Sequence, residues 1–256
     1  MLNYRLFGDL SSSAAPLVVL HGLLGSLDNW HTFARGQAGK RTVLAIDLRN
    51  HGDSPHVAGM SYRQMVDDVV AVLDTLAIPE CYLMGHSMGG KVAMMLALQH
   101  PSRVRRLLVV DIAPKAYPPR HQALLHAMVG MPLGELSSRK QADEWLSATV
   151  KHPFERGFLL KNLGRKTEGQ FYWQCNLPEI ARHYLKISGF PTTDAVYPAP
   201  TLFIRGGQSD YVADTDLPMI RQAFPAAELV TVAAAGHLPH VQTPAEFTVL
   251  VEAFLG

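Results

Sequence analysis

The chain has 256 residues, 48% of them hydrophobic and 18% charged. At roughly 100–200 residues per domain this fits one large domain or one domain carrying an insertion, and the balance excludes disorder as the main state. Lys plus Arg number 23 and Asp plus Glu 22, a net charge of +1, which argues against nucleic acid or another polyanion as the main partner.

The start, Met1-Leu2-Asn3-Tyr4-Arg5-Leu6, has no basic stretch followed by an apolar core, so no signal peptide is expected. The first expected strand, Leu17–Leu20, runs into His21-Gly22-Leu23-Leu24-Gly25, and the second is Thr42–Ile46. Ser61-Tyr62-Arg63-Gln64 reads as a capping box. It opens a helix with Met65, Val66, Val69, Val72, Leu73 and Leu76 on a helical period, stopped by Pro79. The strand Cys81–Met84 enters Gly85-His86-Ser87-Met88-Gly89-Gly90, and Lys91–Gln99 continues as a helix that ends before Pro101. Leu107–Val110 is the next strand, with Asp111 at its end. From about Ala113 to Pro198 there is no buried-strand run; Tyr117, Trp145, Phe154, Phe158, Phe171, Trp173 and Tyr184 stand among polar residues. A mainly helical insertion over the sheet is expected there. Thr201–Ile204 leads into Gly206-Gly207-Gln208-Ser209-Asp210, and Leu229–Val232 leads towards Ala235-Gly236-His237. The last helix is expected to start with Thr243 as N-cap, Pro244 at its first position and Glu246 closing a box, with Phe247, Leu250, Val251 and Phe254 as its apolar stripe.

Continuous apolar strands alternating with helices predict an α/β fold with a mostly parallel sheet covered on both faces. No uncharged apolar run reaches the ~18 residues of a spanning helix, so no membrane insertion is expected. Cys81 and Cys175 are too few for a disulfide scaffold. A soluble cytoplasmic protein is the expectation.

The chemistry gathers at G-x-S-x-G. A nucleophile on a sharp strand-to-helix turn needs small residues on either side, and the following helix N-terminus places its positive end where negative charge develops. Ser87 is therefore the expected nucleophile. A serine hydroxyl needs a base within hydrogen-bond reach and an acid to orient that base. His237 is the expected base, since loops at the C-terminal ends of parallel strands converge at one sheet edge; His240 is expected as a rim residue. Asp111 and Asp210 both lie at that edge, and either carboxylate can serve as the acid. The oxyanion hole is expected from the backbone N–H groups of Leu23 and Met88. His21 is expected to brace the Leu23 loop, His86 to fill space beside the turn, and His51 to be loop structure. No helix pair of histidines or Cys/His cluster has ligand spacing, so neither metal nor cofactor is expected.

Two other classes fit the sequence less well. Gly85 to Lys91 also fits the phosphate loop G-x-x-x-x-G-K, but Val92 stands where a magnesium-binding Ser or Thr is needed. A binding module that has lost its chemistry is disfavoured because every catalytic position carries a competent residue.

Together these motifs resemble the α/β-hydrolase superfamily, with the match covering nearly the full chain. The more specific likeness is to small bacterial YbfF-type esterases and their mitochondrial abhydrolase-domain relatives. It rests on Asp47-Leu48-Arg49-Asn50-His51-Gly52-Asp53-Ser54-Pro55, Gly85-His86-Ser87-Met88-Gly89-Gly90-Lys91, Val110-Asp111-Ile112-Ala113-Pro114 and Gly236-His237. The resemblance implies a hydrolase core over residues 1–113 and 198–256, with a helical cap over 114–197. It implies an eight-stranded type of sheet with the cap between strands six and seven. It also implies esterase or acyl-thioesterase activity on a small-molecule ester or acyl-CoA through an acyl-enzyme. In the closer group the acid matches Asp111, whereas in the superfamily at large it matches Asp210; this chain has both, and the closer likeness favours Asp111. Carbon–carbon bond hydrolysis and cofactor-free perhydrolysis use the same residue set and stay open.

Overall fold

The computed structural model describes residues 1–10 and 14–256, and each strand expected from an apolar run forms. The first half of the chain gives β1 (Tyr4–Phe7), β2 (Leu17–Leu20), α1 (His31–Gln37), β3 (Val43–Ile46), α2 (Tyr62–Thr75), β4 (Cys81–His86), α3 (Met88–Gln99) and β5 (Val104–Val110). The insertion holds α4 (Gln122–Val129), α5 (Arg139–Ser147), α6 (Pro153–Leu160), β6 (Leu163–Arg165), β7 (Phe171–Trp173) and α7 (Leu177–Ser188). The chain returns through β8 (Thr201–Gly206), α8 (Leu217–Ala223), β9 (Ala227–Val232), α9 (Pro239–Gln242) and α10 (Pro244–Leu255).

The main sheet runs β1-β3-β2-β4-β5-β8-β9. β1 pairs antiparallel with β3, and every other neighbouring pair is parallel. Strand alternation divides the core. Val18, Leu20, Leu44 and Ile46 pack with the apolar stripe of α2 and with α3, whereas Leu17, Val19, Val43 and Ala45 pack with Phe33 of α1 and with Phe247 and Val251 of α10. Helices thus cover both faces, which is why β2 and β3 can be apolar at every position.

The capping box on α2 forms: the Ser61 hydroxyl accepts from the Gln64 N–H, and the Gln64 side chain accepts from the Ser61 N–H. The box expected on α10 does not. Thr243 follows the short helix α9 directly, and its hydroxyl donates back to the Pro239 carbonyl instead of capping α10. Among the described residues the sheet has seven strands rather than eight, so the insertion follows the fifth of them, β5, and precedes β8. The insertion is mainly helical, but it also contains the antiparallel pair β6–β7, whose three-residue strands are too short to read as apolar runs.

Hydrogen bonds seat the insertion on the C-terminal edge of the sheet. The Lys91 ammonium of α3 donates to the carbonyls of Ser188 and Gly189 at 2.9 and 2.7 Å. The Tyr62 hydroxyl donates to the Ile187 carbonyl, and Asn162 donates to the Leu24 carbonyl at 2.7 Å. Among the described residues no helix is long and apolar enough to cross a membrane.

Candidate active site

The turn from β4 into α3 holds Ser87 at φ 52° and ψ −117°, a left-handed conformation that a side chain rarely adopts. The Ser87 N–H donates to the Val110 carbonyl at 3.0 Å, which pins the turn to β5. Glycines permit the bend: a Cβ on Gly85 would overlap the Gly89 carbonyl, and one on Gly89 would overlap the carbonyl of His21. The second approach ties the turn to the His21-Gly22-Leu23 loop. A Cβ at Gly22 would lie 3.3 Å from that of Ser87, so the backbone before Leu23 passes beside the serine. Met88 opens α3, where backbone N–H groups have no intrahelical acceptor.

His237 Nε2 lies 3.1 Å from Ser87 Oγ, and its Nδ1 lies 2.7 Å from Asp111 Oδ2. With Nδ1 protonated, the imidazole donates to Asp111 and accepts from the serine hydroxyl. Asp111 is fully buried, and its own φ is 50°. Its Oδ1 accepts from the Gly206 N–H at 2.9 Å, and its Oδ2 also accepts from the Ser209 hydroxyl. Asp210, the other possible acid, points away into solvent. Both its oxygens accept from Arg120 at 2.6 and 2.7 Å, and that bond holds its carboxyl below the usual carboxylate range. The fold therefore brings Asp111, and not Asp210, to the imidazole.

Burial keeps His21, His51, His86 and His240 neutral. His21 donates from Nδ1 to the Gly22 carbonyl and accepts at Nε2 from the Leu48 N–H at 2.9 Å, so it braces the loop as expected. Desolvation pushes it down to about 4. His51 is buried and donates to the Arg49 carbonyl within its loop. His86 does more than fill space: its Nε2–H donates to the His237 carbonyl at 2.7 Å and fixes the backbone that carries the imidazole. Burial pushes His86 well below its ordinary value. His240 is not at the rim. α9 turns it inward against Trp30, where the rings stack at 4.3 Å, and desolvation lowers it to about 3. Lys91 faces the insertion rather than the mouth of the turn, so it is not placed as a phosphate-loop lysine.

Sequence reading missed Tyr211. Its ring stacks on the His237 imidazole at 3.9 Å and 17°. Arg120 covers the same ring at 5.7 Å, and the Tyr117 hydroxyl ties the loop by accepting from the Ala113 N–H and donating to the Tyr211 carbonyl. The available signal was position: Ser209 and Tyr211 follow the Gly-Gly end of β8 at the same sheet edge as His237.

Two spaces open from Ser87. A small cavity of about 50 Å³ runs along α3 past Met88, Lys91 and Ile112 towards Tyr62, Tyr117 and Ile187. A chamber of about 660 Å³ lies under the insertion and reaches His86, His237 and Leu238. Among the described residues no group of three or more His, Cys, Asp or Glu side chains is gathered as a metal would require.

Known proteins match this arrangement at both levels. The alpha/beta hydrolase fold family matches residues 15–244. The sn-1-specific diacylglycerol lipase ABHD11 of Mus musculus is 42% identical over 262 residues, covering 99% of this chain and 85% of that protein. Esterase YbfF of Escherichia coli K12 is 34% identical over 231 residues, covering 90% of this chain and 89% of that protein. Among solved structures, a marine microorganism esterase superposes with a TM-score of 0.94 at 37% identity, covering 99% of this chain and 98% of that one. A parallel sheet, a serine on its strained strand-to-helix turn and these relatives agree: the chain belongs to the alpha/beta hydrolase family.

Proposed function

We propose that this hydrolase is a serine esterase that works through an acyl-enzyme, with Ser87, His237 and Asp111 as its triad. The observation that carries the reading is the continuous relay from Ser87 Oγ to His237 at 3.1 Å and on to Asp111 at 2.7 Å. Ser87 Oγ attacks the ester carbonyl while His237 Nε2 takes its proton. Asp111 keeps Nδ1 protonated and favours the imidazolium that forms. The N–H groups of Leu23 and Met88 receive the oxyanion; removal of one such donor typically costs about 10²–10³ in rate. The tetrahedral intermediate expels the alcohol, which takes the proton from His237. Water activated by the same imidazole then releases the acid and restores the serine.

The esterase and lipase names of the relatives support an ester as substrate. A thioester presents the same carbonyl to the same groups, so acyl-CoA belongs in the same assay. The test is steady-state hydrolysis of short p-nitrophenyl esters and acyl-CoAs by wild type, Ser87→Ala and His237→Ala. Each variant is expected to lose at least about 10⁴ in kcat. Equal turnover by wild type and Ser87→Ala overturns the reading.

A further inference from the structure

The two spaces at Ser87 differ more than tenfold in volume; Ser87 and Leu23 line both, whereas Met88 and His237 are divided between them. The small cavity of about 50 Å³ is lined by Met88 but not by His237. The chamber of about 660 Å³ is lined by His237 but not by Met88. Resting on the proposed roles of these residues, this division assigns the two arms of the substrate. The departing oxygen must take its proton from His237 Nε2, so the leaving group lies on the imidazole side. The carbonyl oxygen must face the N–H groups of Leu23 and Met88, which leaves the acyl arm the cavity along α3. We infer that the protein selects esters of a short acid with a long, apolar alcohol.

The walls support this assignment. Along α3 the small cavity is lined by anchored groups. The Lys91 ammonium is committed to the Ser188 and Gly189 carbonyls and sits 4.7 Å from the Tyr117 ring centre. The Tyr62 hydroxyl is committed to the Ile187 carbonyl. Lengthening the acyl arm would break bonds to buried partners, which interiors resist. A water needs about 10–15 Å³ of such space, so the cavity has room for a few water-sized groups, an acyl group of about two to four carbons. The chamber instead has the size of a full ligand site, typically about 300–1,000 Å³. Leu124, Val150, Phe158, Leu159 and Leu238 give it a mostly apolar wall, with Arg120, Lys151 and Glu155 also lining it, and Phe154 stands exposed at its border.

In the reaction, Ser87 Oγ bonds to the short acyl carbon as the bond from that carbon to the alcohol oxygen breaks. The serine proton travels through His237 to that oxygen, and the long alcohol leaves through the chamber. Each methylene of the alcohol that becomes buried there is expected to raise kcat/KM up to about fourfold.

Two ester series on the wild-type enzyme test the inference. The first holds the alcohol fixed and lengthens the acid from acetate to palmitate; the second holds acetate and lengthens a linear alcohol from ethanol to dodecanol. The first is expected to peak between acetate and butyrate and to fall at least tenfold by octanoate, and the second to rise with chain length to a plateau. An optimum at octanoate or longer, or acetates indifferent to alcohol length, overturns the assignment. Ile187→Ala is expected to move the acyl optimum to longer acids, and Phe158→Asp to flatten the alcohol series. If either variant fails to fold, the wild-type series decides. Ser87→Ala run on the same esters separates the two readings: activity retained there defeats the nucleophile itself, whereas loss there with a reversed length preference defeats only the pocket assignment.

Discussion

Asp111 is buried and accepts from the Gly206 N–H, the Ser209 hydroxyl and the His237 imidazole, so its orientation is fixed from three directions. Asp210 is exposed and paired with an exposed arginine, an arrangement that solvent screens. Asp111→Asn is expected to lower kcat about 10⁴-fold, because an amide in that place no longer favours the productive tautomer. Asp210→Asn is expected to stay within a few fold of wild type, measured side by side on one ester. Tyr211 acts on the same imidazole through its ring face. Tyr211→Ala frees the imidazole to tilt, with an expected loss of about ten- to a hundredfold in kcat, while Tyr211→Phe keeps the stack and the rate. By position alone the two aspartates were indistinguishable, because both follow a strand at the catalytic edge; only the likeness to the closer group favoured Asp111. What separates them is a direction of approach: the left-handed φ of Asp111 turns its side chain inward, and no spacing encodes that.

At the scale of elements, the strand-to-helix turn was legible because its constraint is local: Gly85 and Gly89 are small where the chain nearly touches itself. Gly89→Ala places a methyl group against the His21 carbonyl. Moving it away shifts both Ser87 and the loop that carries Leu23. The expected outcome is at least a hundredfold loss in kcat together with a lower melting temperature. Ser61 lines neither space at Ser87, and Ser61→Ala removes the cap of α2. It is expected to cost about 1 kcal/mol in denaturant unfolding and nothing in kcat. The capping box of α2 was readable for the same local reason. β1 was not, because an edge strand with Arg5 and Leu6 facing solvent carries no apolar run. Thr243 misled because cap chemistry presumes a free approach to the helix, and α9 occupies it.

Across the whole molecule, burial keeps a set of imidazoles neutral. His21 and His121 are lowered to about 4, and His51 and His240 to about 3, each chiefly by desolvation. The unfolded chain binds protons on these groups below about pH 6.5, whereas the folded chain does not until pH falls to about 3–4. Their contribution to stability is therefore full above pH 6.5 and is lost progressively as the pH falls through that window. Denaturant midpoints are expected to drop from pH 7 to pH 5, and an unchanged midpoint contradicts this. The parallel core could be read from its apolar runs, and the insertion over the sheet from their interruption, but the contacts that seat the insertion could not. Those contacts are single long-range bonds such as Lys91 to Ser188 and Asn162 to Leu24, which leave no periodic trace.

The account as a whole stands on Ser87 being made nucleophilic by His237. Intact-mass and peptide mapping after reaction with a fluorophosphonate tests this most directly. Wild type is expected to gain one adduct on Ser87, with Ser87→Ala gaining none and His237→Ala reacting at a small fraction of the rate. An adduct on another residue, or equal labelling of wild type and His237→Ala, would contradict it.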